Sequence, residues 1–290
     1  MSWERRVNRV VDHVRGHLRD DLSLAALSRV AHASPFHFAR MFKATTGETL
    51  TRFVQRARLE RAAALMMARP DRPLGDIAHD VGFSAASDFS RVFKQHYGLA
   101  PSRWDRRTRL TPTLPDYEDG LAQARSTCPP FHPRVVEHPA CLVAYVRVPT
   151  PFLDAELLQE GYVHLTDWLQ QRGIDWTRQR LLGLSWDNFE TTPIDKVRFD
   201  LAFTVPENTL PEGDIGTHRF GAIRSVDVHI RGGLGHIALA WEHLYDVWLP
   251  RSNSEPADLP GIKRFRRRPD EPGWRDFDLD CSIALKARAF

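Results

Sequence analysis

The sequence predicts an all-α tandem helix-turn-helix domain followed by an α+β domain built from a duplicated strand-helix-strand unit. Three observations support this. First, 290 residues exceed the size at which one hydrophobic core usually stops growing, about 250 residues. Second, residues 1–109 carry 20 Lys or Arg against 11 Asp or Glu, whereas residues 110–290 carry 20 against 26. Third, the apolar spacing changes at the same point, from purely helical to mixed helical and alternating.

The composition excludes several classes of protein. With 42% hydrophobic residues and eight Trp, the chain has enough apolar material to fold. It contains no run of 18 apolar residues, so no membrane contact is expected. The charged start, MSWERRVNRV, lacks the apolar core of a signal peptide, which predicts a cytoplasmic location. Three scattered cysteines provide neither a disulfide framework nor a zinc knuckle: Cys128, Cys141 and Cys281.

Residues 1–47 predict three helices. Five apolar residues at helical spacing form one face of the first: Val7, Val10, Val11, Val14 and Leu18. Asp21-Leu22-Ser23 is expected to cap the second helix. Ser34 followed by Pro35 is a typical opening for the third, and Gly47 is expected to end it.

The same pattern then recurs. Phe38-x-Arg40-x-Phe42-Lys43-x-x-x-Gly47 reappears as Phe89-x-Arg91-x-Phe93-Lys94-x-x-x-Gly98. The helix before it repeats as well, so that the two helix-turn-helix units span about residues 24–45 and 74–97. Apolar residues from Leu50 to Leu65 predict a connecting amphipathic helix. Two such units in one basic domain predict a protein that places two helices in successive major grooves of double-stranded DNA.

At these residues the chain resembles, over residues 4–107, the DNA-binding domain of the AraC/XylS family of transcriptional regulators. The second unit, from Ile77 to Pro101, follows the family's signature almost throughout, and Arg58-Leu59-x-Arg61-Ala62 matches its linking helix. One departure is Ser28, where the family usually has alanine. A buried hydroxyl there is expected to find a backbone acceptor one turn back. Another departure is Trp104, where tyrosine or phenylalanine is commoner.

The recognition helices are expected at about residues 35–45 and 85–96. Eight residues that face away from the predicted cores are candidates for base contacts: Phe36, His37, Ala39, Arg40, Ala86, Ser87, Ser90 and Arg91. Four basic residues are candidates for phosphate contacts: Lys43, Arg56, Arg58 and Lys94. For each basic residue the alternative is a solvated surface charge. His13 and His17 have metal-ligand spacing, but no third ligand accompanies them, so no metal is predicted.

Residues 108–133 contain five prolines, which predict an extended linker between the two domains. Beyond it, strands are predicted over 142–146, 197–205, 219–228 and 277–285, and helices over 155–171 and 234–248. Two short matches indicate an internal duplication: His164-Leu165 with His243-Leu244, and Phe199-Asp200-Leu201 with Phe277-Asp278-Leu279. A duplicated unit predicts a pseudo-twofold axis with a cleft between the copies.

Residues 134–290 resemble the GyrI-like effector-binding domain that accompanies AraC-type DNA-binding domains in Rob-like regulators. The matching segments are Trp241-x-x-Leu244-Tyr245-x-x-Trp248-Leu249-Pro250, Pro256-Ala257-Asp258 and Phe277-Asp278-Leu279-Asp280. The resemblance implies a cleft in which aromatic side chains and an acidic group bind a small hydrophobic or cationic molecule. The family's glutamate falls here on Lys263. An anionic or neutral ligand is therefore expected, unless Asp187, Asp280 or another acid replaces that glutamate.

Seven residues are candidates for lining this cleft: Tyr145, Trp168, Trp186, Trp241, Tyr245, Lys263 and Phe265. Each aromatic residue also suits an ordinary core position. Gly232-Gly233-Leu234-Gly235 lacks the lysine and hydroxyl of a phosphate loop, and is expected to be a strand-to-helix turn.

Two functions follow from these patterns. The first is a regulator, not an enzyme and without a cofactor, in which a small-molecule effector alters DNA binding or recruitment of RNA polymerase. Because both helix-turn-helix units lie in one chain, binding as a monomer is expected. The second is a C-terminal domain that hydrolyses or sequesters a small molecule. The sequence contains no convincing Ser-His-Asp or Cys-His arrangement, so no catalytic residues are predicted.

Overall fold

The computed structural model describes residues 3–105, 115–149, 155–187, 192, 197–268 and 274–286. The chain divides into two compact units: Met1–Thr108 with Glu212–Asp214, and Arg109–Pro211 with Ile215–Phe290. In the described residues the first unit is helical and the second combines helices with a β-sheet. The predicted layout of a helical domain followed by an α+β domain is therefore confirmed.

Where the structure describes it, the helical unit contains six α-helices: α1 (Trp3–Gly16), α2 (Leu24–Val30), α3 (Pro35–Thr46), α4 (Leu50–Ala68), α5 (Leu74–Asp80) and α6 (Ala86–Tyr97). Their ends follow local chemistry. The Ser23 side chain accepts a hydrogen bond from the Ala26 amide at the start of α2. Pro35 is the first residue of α3, and Gly47 ends that helix in the left-handed conformation, with φ at 72°. These predicted boundaries are confirmed.

Repeated phenylalanines form the cores of both helix-turn-helix units. Phe38 and Phe42 are fully buried in the first unit, and Phe89 and Phe93 are fully buried in the second. The ring centroids of Phe42 and Phe53 lie 5.4 Å apart, so α4 completes the first core. Within the same unit, the Ser28 hydroxyl is buried and donates a hydrogen bond of 3.0 Å to the Ala25 carbonyl, as its position in the helix predicted.

The second helix-turn-helix turn requires glycine. Gly82 has φ at 87°, and a methyl group on it would overlap the Leu18 carbonyl oxygen. His32, the matching residue of the first unit, also has positive φ, at 49°. There, the Arg6 guanidinium donates a hydrogen bond of 2.7 Å to the His32 carbonyl. The left-handed residue is thus common to both turns, and in the second turn it lies against the Leu18 backbone.

Gly82→Ala is expected to lower the free energy of unfolding by about 1–3 kcal/mol, because it adds a strained φ and a backbone overlap. Gly98→Ala is the matched control. Gly98 has φ at 79°, but a methyl group there would meet nothing within 4 Å. Urea denaturation of both variants measures the difference. An equal loss in the two would contradict a role for the Leu18 contact.

The α+β unit contains one antiparallel sheet of eight strands in the described residues: β1 (Arg134–His138), β2 (Cys141–Pro149), β3 (Leu181–Ser185), β4 (Arg198–Val205), β5 (Gly216–Phe220), β6 (Ile223–Gly232), β7 (Gly261–Phe265) and β8 (Phe277–Ala284). Their order across the sheet is β1-β6-β8-β7-β3-β4-β2-β5. The sheet is accompanied by α7 (Pro115–Thr127), α8 (Ala155–Gln171) and α9 (Leu234–Glu242). A π-helical stretch, His243–Trp248, continues α9 into α10 (Leu249–Arg251).

Helices α8 and α9 lie on the same face of the sheet. A methyl group on Gly161 of α8 would be 3.0 Å from Val148 of β2, and the Trp241 side chain of α9 covers Gly261 of β7. Val148 connects to Gly261 through successive cross-strand partners, Phe199 and Ser185. Because cross-strand partners point to the same side of an antiparallel sheet, both helices cover that side, here called the helix-covered face.

Helix α7 lies inside residues 108–133, where the prolines predicted an extended linker. That prediction is wrong for residues 115–127. Pro115 is the first helical residue, where its missing amide costs nothing, and the next prolines follow the helix end. A methyl group on Gly235 of α9 would overlap the Gly120 carbonyl, so the two helices meet backbone to backbone. Gly232-Gly233-Leu234-Gly235 is the predicted strand-to-helix turn, and α7 explains its last glycine.

The predicted strand over 219–228 is two strands, β5 and β6, which do not pair with each other. β5 adds to one edge of the sheet, next to β2, whereas β6 pairs with β1 and β8 near the other edge. Strands β1, β3 and β7 have five residues each and were not predicted. Such short strands give too few alternations to stand out from their surroundings.

Candidate nucleic-acid interface and ligand site

Helices α3 and α6 present the predicted base-contact residues at the surface. Phe36, 67% exposed, is a large apolar side chain with no place in the core. The other seven candidates are exposed or half-buried: His37, Ala39, Arg40, Ala86, Ser87, Ser90 and Arg91. The predicted phosphate contacts Lys43 and Lys94 are exposed as well. Each helix therefore buries two phenylalanines and exposes the opposite surface, which on α3 includes Phe36.

The two surfaces differ in chemistry. On α3, the Arg40 guanidinium lies 5.8 Å from the Phe36 ring centroid, so an apolar ring and a group with several hydrogen-bond donors are adjacent. On α6, Arg91 pairs with Asp88 at 3.2 Å, where both side chains are largely exposed. An exposed pair of this kind contributes little to stability and is readily exchanged for another acceptor.

Arg56 and Arg58 are engaged within the helical unit, so phosphate contact by either residue stays a prediction that their packing does not favour. Arg56 is 4% exposed and pairs at 2.6 Å with both Glu48 and Glu60. Arg58 is half-buried and donates from Nε to the Leu18 carbonyl at 3.1 Å. The four-residue spacing of Arg56 and Glu60 was a signal for a helical ion pair. The sequence did not show which side of α4 faces the core.

The seven candidate ligand residues do not form one cleft. Lys263 and Phe265 point to the helix-covered face, since Lys263 pairs with Gly183 and Cys281 in the register of that face. Tyr145 and Trp186 point to the opposite face, and belong to or pack against a separate apolar cluster there. Placing Tyr145 and Trp186 in the same cleft as Lys263 was therefore wrong. A difference of one position along a strand reverses the side on which a residue lies.

Three of the other candidates lie on helices. Trp168 of α8 is buried, with the Arg172 guanidinium 4.0 Å from its ring centroid. Trp241 and Tyr245, from α9 and its π-helical continuation, are half-buried with ring centroids 6.3 Å apart. Trp241 comes directly beside Lys263.

Lys263 is the central polar group of the helix-covered face. Lys263 is 6% exposed, and its Nζ donates to the Ser185 hydroxyl at 2.5 Å. The Nζ also lies 4.9 Å from the Phe199 ring centroid and 5.7 Å from that of Trp241. Burial lowers the pKa of the Lys263 ammonium from 10.5 to about 8, because its charged form loses hydration.

Further aromatic side chains, which the sequence analysis missed, continue this site. The Tyr162 ring of α8 lies 6.2 Å from Trp176, 6.0 Å from Phe203 and 5.8 Å from Trp274. Trp274 in turn lies 5.9 Å from Phe265 of β7. These residues come from five separate segments, so no local spacing connects them.

The acids considered as replacements for a glutamate are engaged elsewhere. Asp280 pairs with Arg264 across the strands, on the face opposite Lys263, and accepts a bidentate pair of bonds from Arg266. Asp187 accepts hydrogen bonds from the Arg198 amide and side chain. Neither carboxylate therefore serves as the counter-charge of Lys263.

In the part of the chain that the structure describes, no helix is long and apolar enough to cross a membrane. The same residues contain no group of three His, Cys, Asp or Glu side chains placed to hold a metal ion.

Comparison with known proteins assigns a family to both halves. Residues 27–107 match a helix-turn-helix domain, and residues 131–286 match the GyrI-like small molecule binding domain.

The curated relatives of this chain include the following three proteins. The probable transcriptional regulator LumQ of Photobacterium leiognathi is 37% identical over 101 residues, covering 34% of this chain and 40% of LumQ. The bifunctional transcriptional activator/DNA repair enzyme AdaA of Bacillus subtilis is 30% identical over 107 residues, covering 37% of this chain and 50% of AdaA. The regulatory protein SoxS of Salmonella typhimurium is 30% identical over 110 residues, covering 38% of this chain and all of SoxS. The matches thus span half or less of the first two relatives, but the whole of the third. The chain belongs to the AraC-type transcriptional regulators, with a GyrI-like small-molecule-binding domain following its helix-turn-helix domain.

Proposed function

We propose that this protein is a one-component transcriptional regulator. Its helical unit binds a specific DNA sequence, and a small molecule bound by its α+β unit changes that binding or the recruitment of RNA polymerase. The observation that carries the proposal is the basic exposed surface that recurs on α3 and on α6. Arg40 and Lys43 on one helix recur as Arg91 and Lys94 on the other, all four exposed, above phenylalanines that fill the cores.

The DNA site is expected to be asymmetric. Two recognition helices in one chain reach successive major grooves when they lie about one helical turn, ~34 Å, apart along the DNA. On α3, Phe36 suits a thymine methyl group and Arg40 suits the O6 and N7 of guanine. On α6, Ala86 and Ser87 are small, so Arg91 is the main candidate for a specific contact there. One chain therefore reads two different half-sites and needs no symmetric partner.

Arg40→Ala is expected to weaken binding to the preferred sequence by about 1–3 kcal/mol and to relax the preference at one base pair. Lys43→Ala is expected to weaken binding to all sequences alike and to reduce the slope of log K against log salt by about 1. Fluorescence anisotropy with matched and mismatched duplexes measures both effects. Arg178→Ala, which removes an exposed positive charge from the α+β unit, is the control. If Arg40→Ala weakened binding to matched and mismatched duplexes equally, Arg40 would be a phosphate contact and not a base contact.

Selection of the full-length protein against a randomised duplex pool tests the DNA-binding half of the proposal. We expect one enriched asymmetric site, with two contacted segments about a turn apart and a steep loss of affinity with salt. If the folded protein enriches no sequence, specific DNA recognition by α3 and α6 is contradicted.

We further infer that the α+β unit is a duplication of one strand-helix-strand unit, as the sequence pattern predicted. The strand order supports this, because β6-β8-β7 on one side mirrors β2-β4-β3 on the other. Arg147 and Asp200 are cross-strand partners with a bond of 2.7 Å, and Arg231 and Asp278 occupy the corresponding places with a bond of 2.9 Å. On this interpretation the pseudo-twofold axis passes between β3 and β7, beside Lys263.

The proposed ligand position is on the helix-covered face over β3 and β7, between α8 and α9.

The alternative of a hydrolase or a ligand-sequestering domain predicts turnover or uptake of a ligand with no change in DNA binding. Measuring DNA affinity with and without bound ligand therefore separates regulation from both alternatives.

A further inference from the structure

We infer that the effector is a small aromatic anion, whose negative group binds the Lys263 ammonium and whose ring packs among the aromatic side chains of the helix-covered face. The inference rests on the proposed ligand-binding function and names its ligand class. It follows from an unbalanced buried charge, from the absence of a nearby acid in the described residues, and from the rings around it.

The Lys263 ammonium has three hydrogen-bond donors, and in the described residues it donates to one acceptor. The acceptor is the Ser185 hydroxyl, and the remaining close groups are the ring faces of Phe199 and Trp241. Among the residues that the structure describes, no carboxylate forms an ion pair with Lys263. A buried cation held by one hydroxyl and two rings is costly unless a negative group completes its surroundings. A bound anion would supply that group.

The neighbouring titratable group does not neutralise Lys263. Cys281 is its cross-strand partner on β8, and burial raises the pKa of the Cys281 thiol to about 12, so this thiol is neutral at pH 7. The other partner, Gly183 on β3, has no side chain, and Ser185 is uncharged. A cationic ligand would therefore meet a like charge at this place. A neutral ligand would leave the ammonium unpaired.

The walls of the site favour an aromatic ligand. Gly183 and Gly261 flank Lys263, and the lack of a Cβ at each allows the rings of Phe199 and Trp241 to lie directly on the sheet. Trp241 is only half-buried, as are Tyr162, Trp176 and Phe265 further along the face. Partly exposed rings beside a buried charged group provide a place for a flat apolar body that carries one ionised substituent.

Three probes with one ring system test the ligand class: 2-naphthoate, 2-naphthylmethanol and 2-naphthylmethylammonium. Isothermal titration calorimetry with the full-length protein at pH 7 gives the affinity of each. We expect naphthoate to bind at least about tenfold more tightly than the ammonium probe. Lys263→Met is expected to weaken naphthoate binding at least about tenfold and to remove the preference for the anion. Lys286→Met, the same change at an exposed lysine paired with Glu255, is expected to leave both unchanged.

The pH dependence provides a second readout. Naphthoate stays ionised between pH 7 and pH 9.5, whereas the Lys263 ammonium loses its proton around pH 8. Naphthoate affinity is therefore expected to fall with rising pH in the wild-type protein, and the fall is expected to be absent in Lys263→Met. Circular dichroism establishes that the variant is folded.

Three results would overturn the inference. They are equal or tighter binding of the ammonium probe, undiminished naphthoate binding by Lys263→Met, and no binding of any probe by the folded protein. DNA affinity measured on the same preparations separates these outcomes from failure of the proposed function. Specific DNA binding without naphthoate binding contradicts the ligand class alone. Naphthoate binding that leaves DNA binding and transcription unchanged contradicts regulation, and leaves the ligand class standing.

Discussion

Replacing Arg56 by methionine is expected to lower the free energy of unfolding of the helical unit by about 3–5 kcal/mol. The Arg56 side chain lies between Glu48 and Glu60, at 2.6 Å from each, and all three side chains are at most 12% exposed. Without the guanidinium, two carboxylates would remain close together and largely shielded from water. The guanidinium also lies 5.4 Å from the buried ring of Phe53, so packing is lost with the charge.

Urea denaturation of the full-length protein, followed by circular dichroism, measures this loss. Arg52→Met changes an exposed arginine in the same helix, and is expected to alter stability by no more than about 0.5 kcal/mol. Adding Glu60→Gln to Arg56→Met is expected to recover part of the stability, because one buried charge is then removed. If Arg56→Met kept its stability and lost DNA affinity, Arg56 would be a phosphate contact after all.

The stability of the α+β unit is expected to rise by about 3 kcal/mol between pH 8 and pH 10.5 through the Lys263 ammonium alone. Its pKa is about 8 in the folded protein, against an ordinary value of 10.5. Between these values the unfolded chain holds a proton that the folded chain has released, so raising the pH favours the folded state. Below pH 8 Lys263 is protonated in both the folded and the unfolded state. The folded state then carries the full free-energy cost of burying this charge.

Lys263→Met is therefore expected to have a higher free energy of unfolding than the wild type at pH 7, by up to about 3 kcal/mol. Loss of the hydrogen bond to Ser185 reduces this gain. Urea denaturation from pH 7 to pH 10.5 gives the comparison. The difference between the two proteins should shrink as the pH rises, whereas Lys286→Met should follow the wild type throughout. A variant that is less stable than wild type at pH 7 would mean that Lys263 is already paired with an acid. It would also remove the basis for an anionic ligand.

The sequence alone determined the helical unit closely. The ends of α2 and α3 depend on Ser23, Pro35 and Gly47, whose effects act over three or four residues. The buried faces of α1, α3 and α6 repeat every three or four residues, so side chains that pack together are also near each other in the chain. The exposed residues of α3 and α6 followed from the same periodicity. The role of each in DNA recognition stays a prediction.

Only the tertiary structure decided the rest. Tyr145 and Lys263 both looked like cleft residues, but the register of the sheet places them on opposite faces. Arg56 and Lys43 are both basic residues of a helical unit, but only the packing of α4 shows that one is buried between two acids. The Lys263 hydrogen bond joins residues 78 positions apart, and its aromatic neighbours come from separate helices and strands. Local preferences act within a few residues, whereas the strand order and the meeting of distant side chains depend on how the whole apolar surface is buried at once.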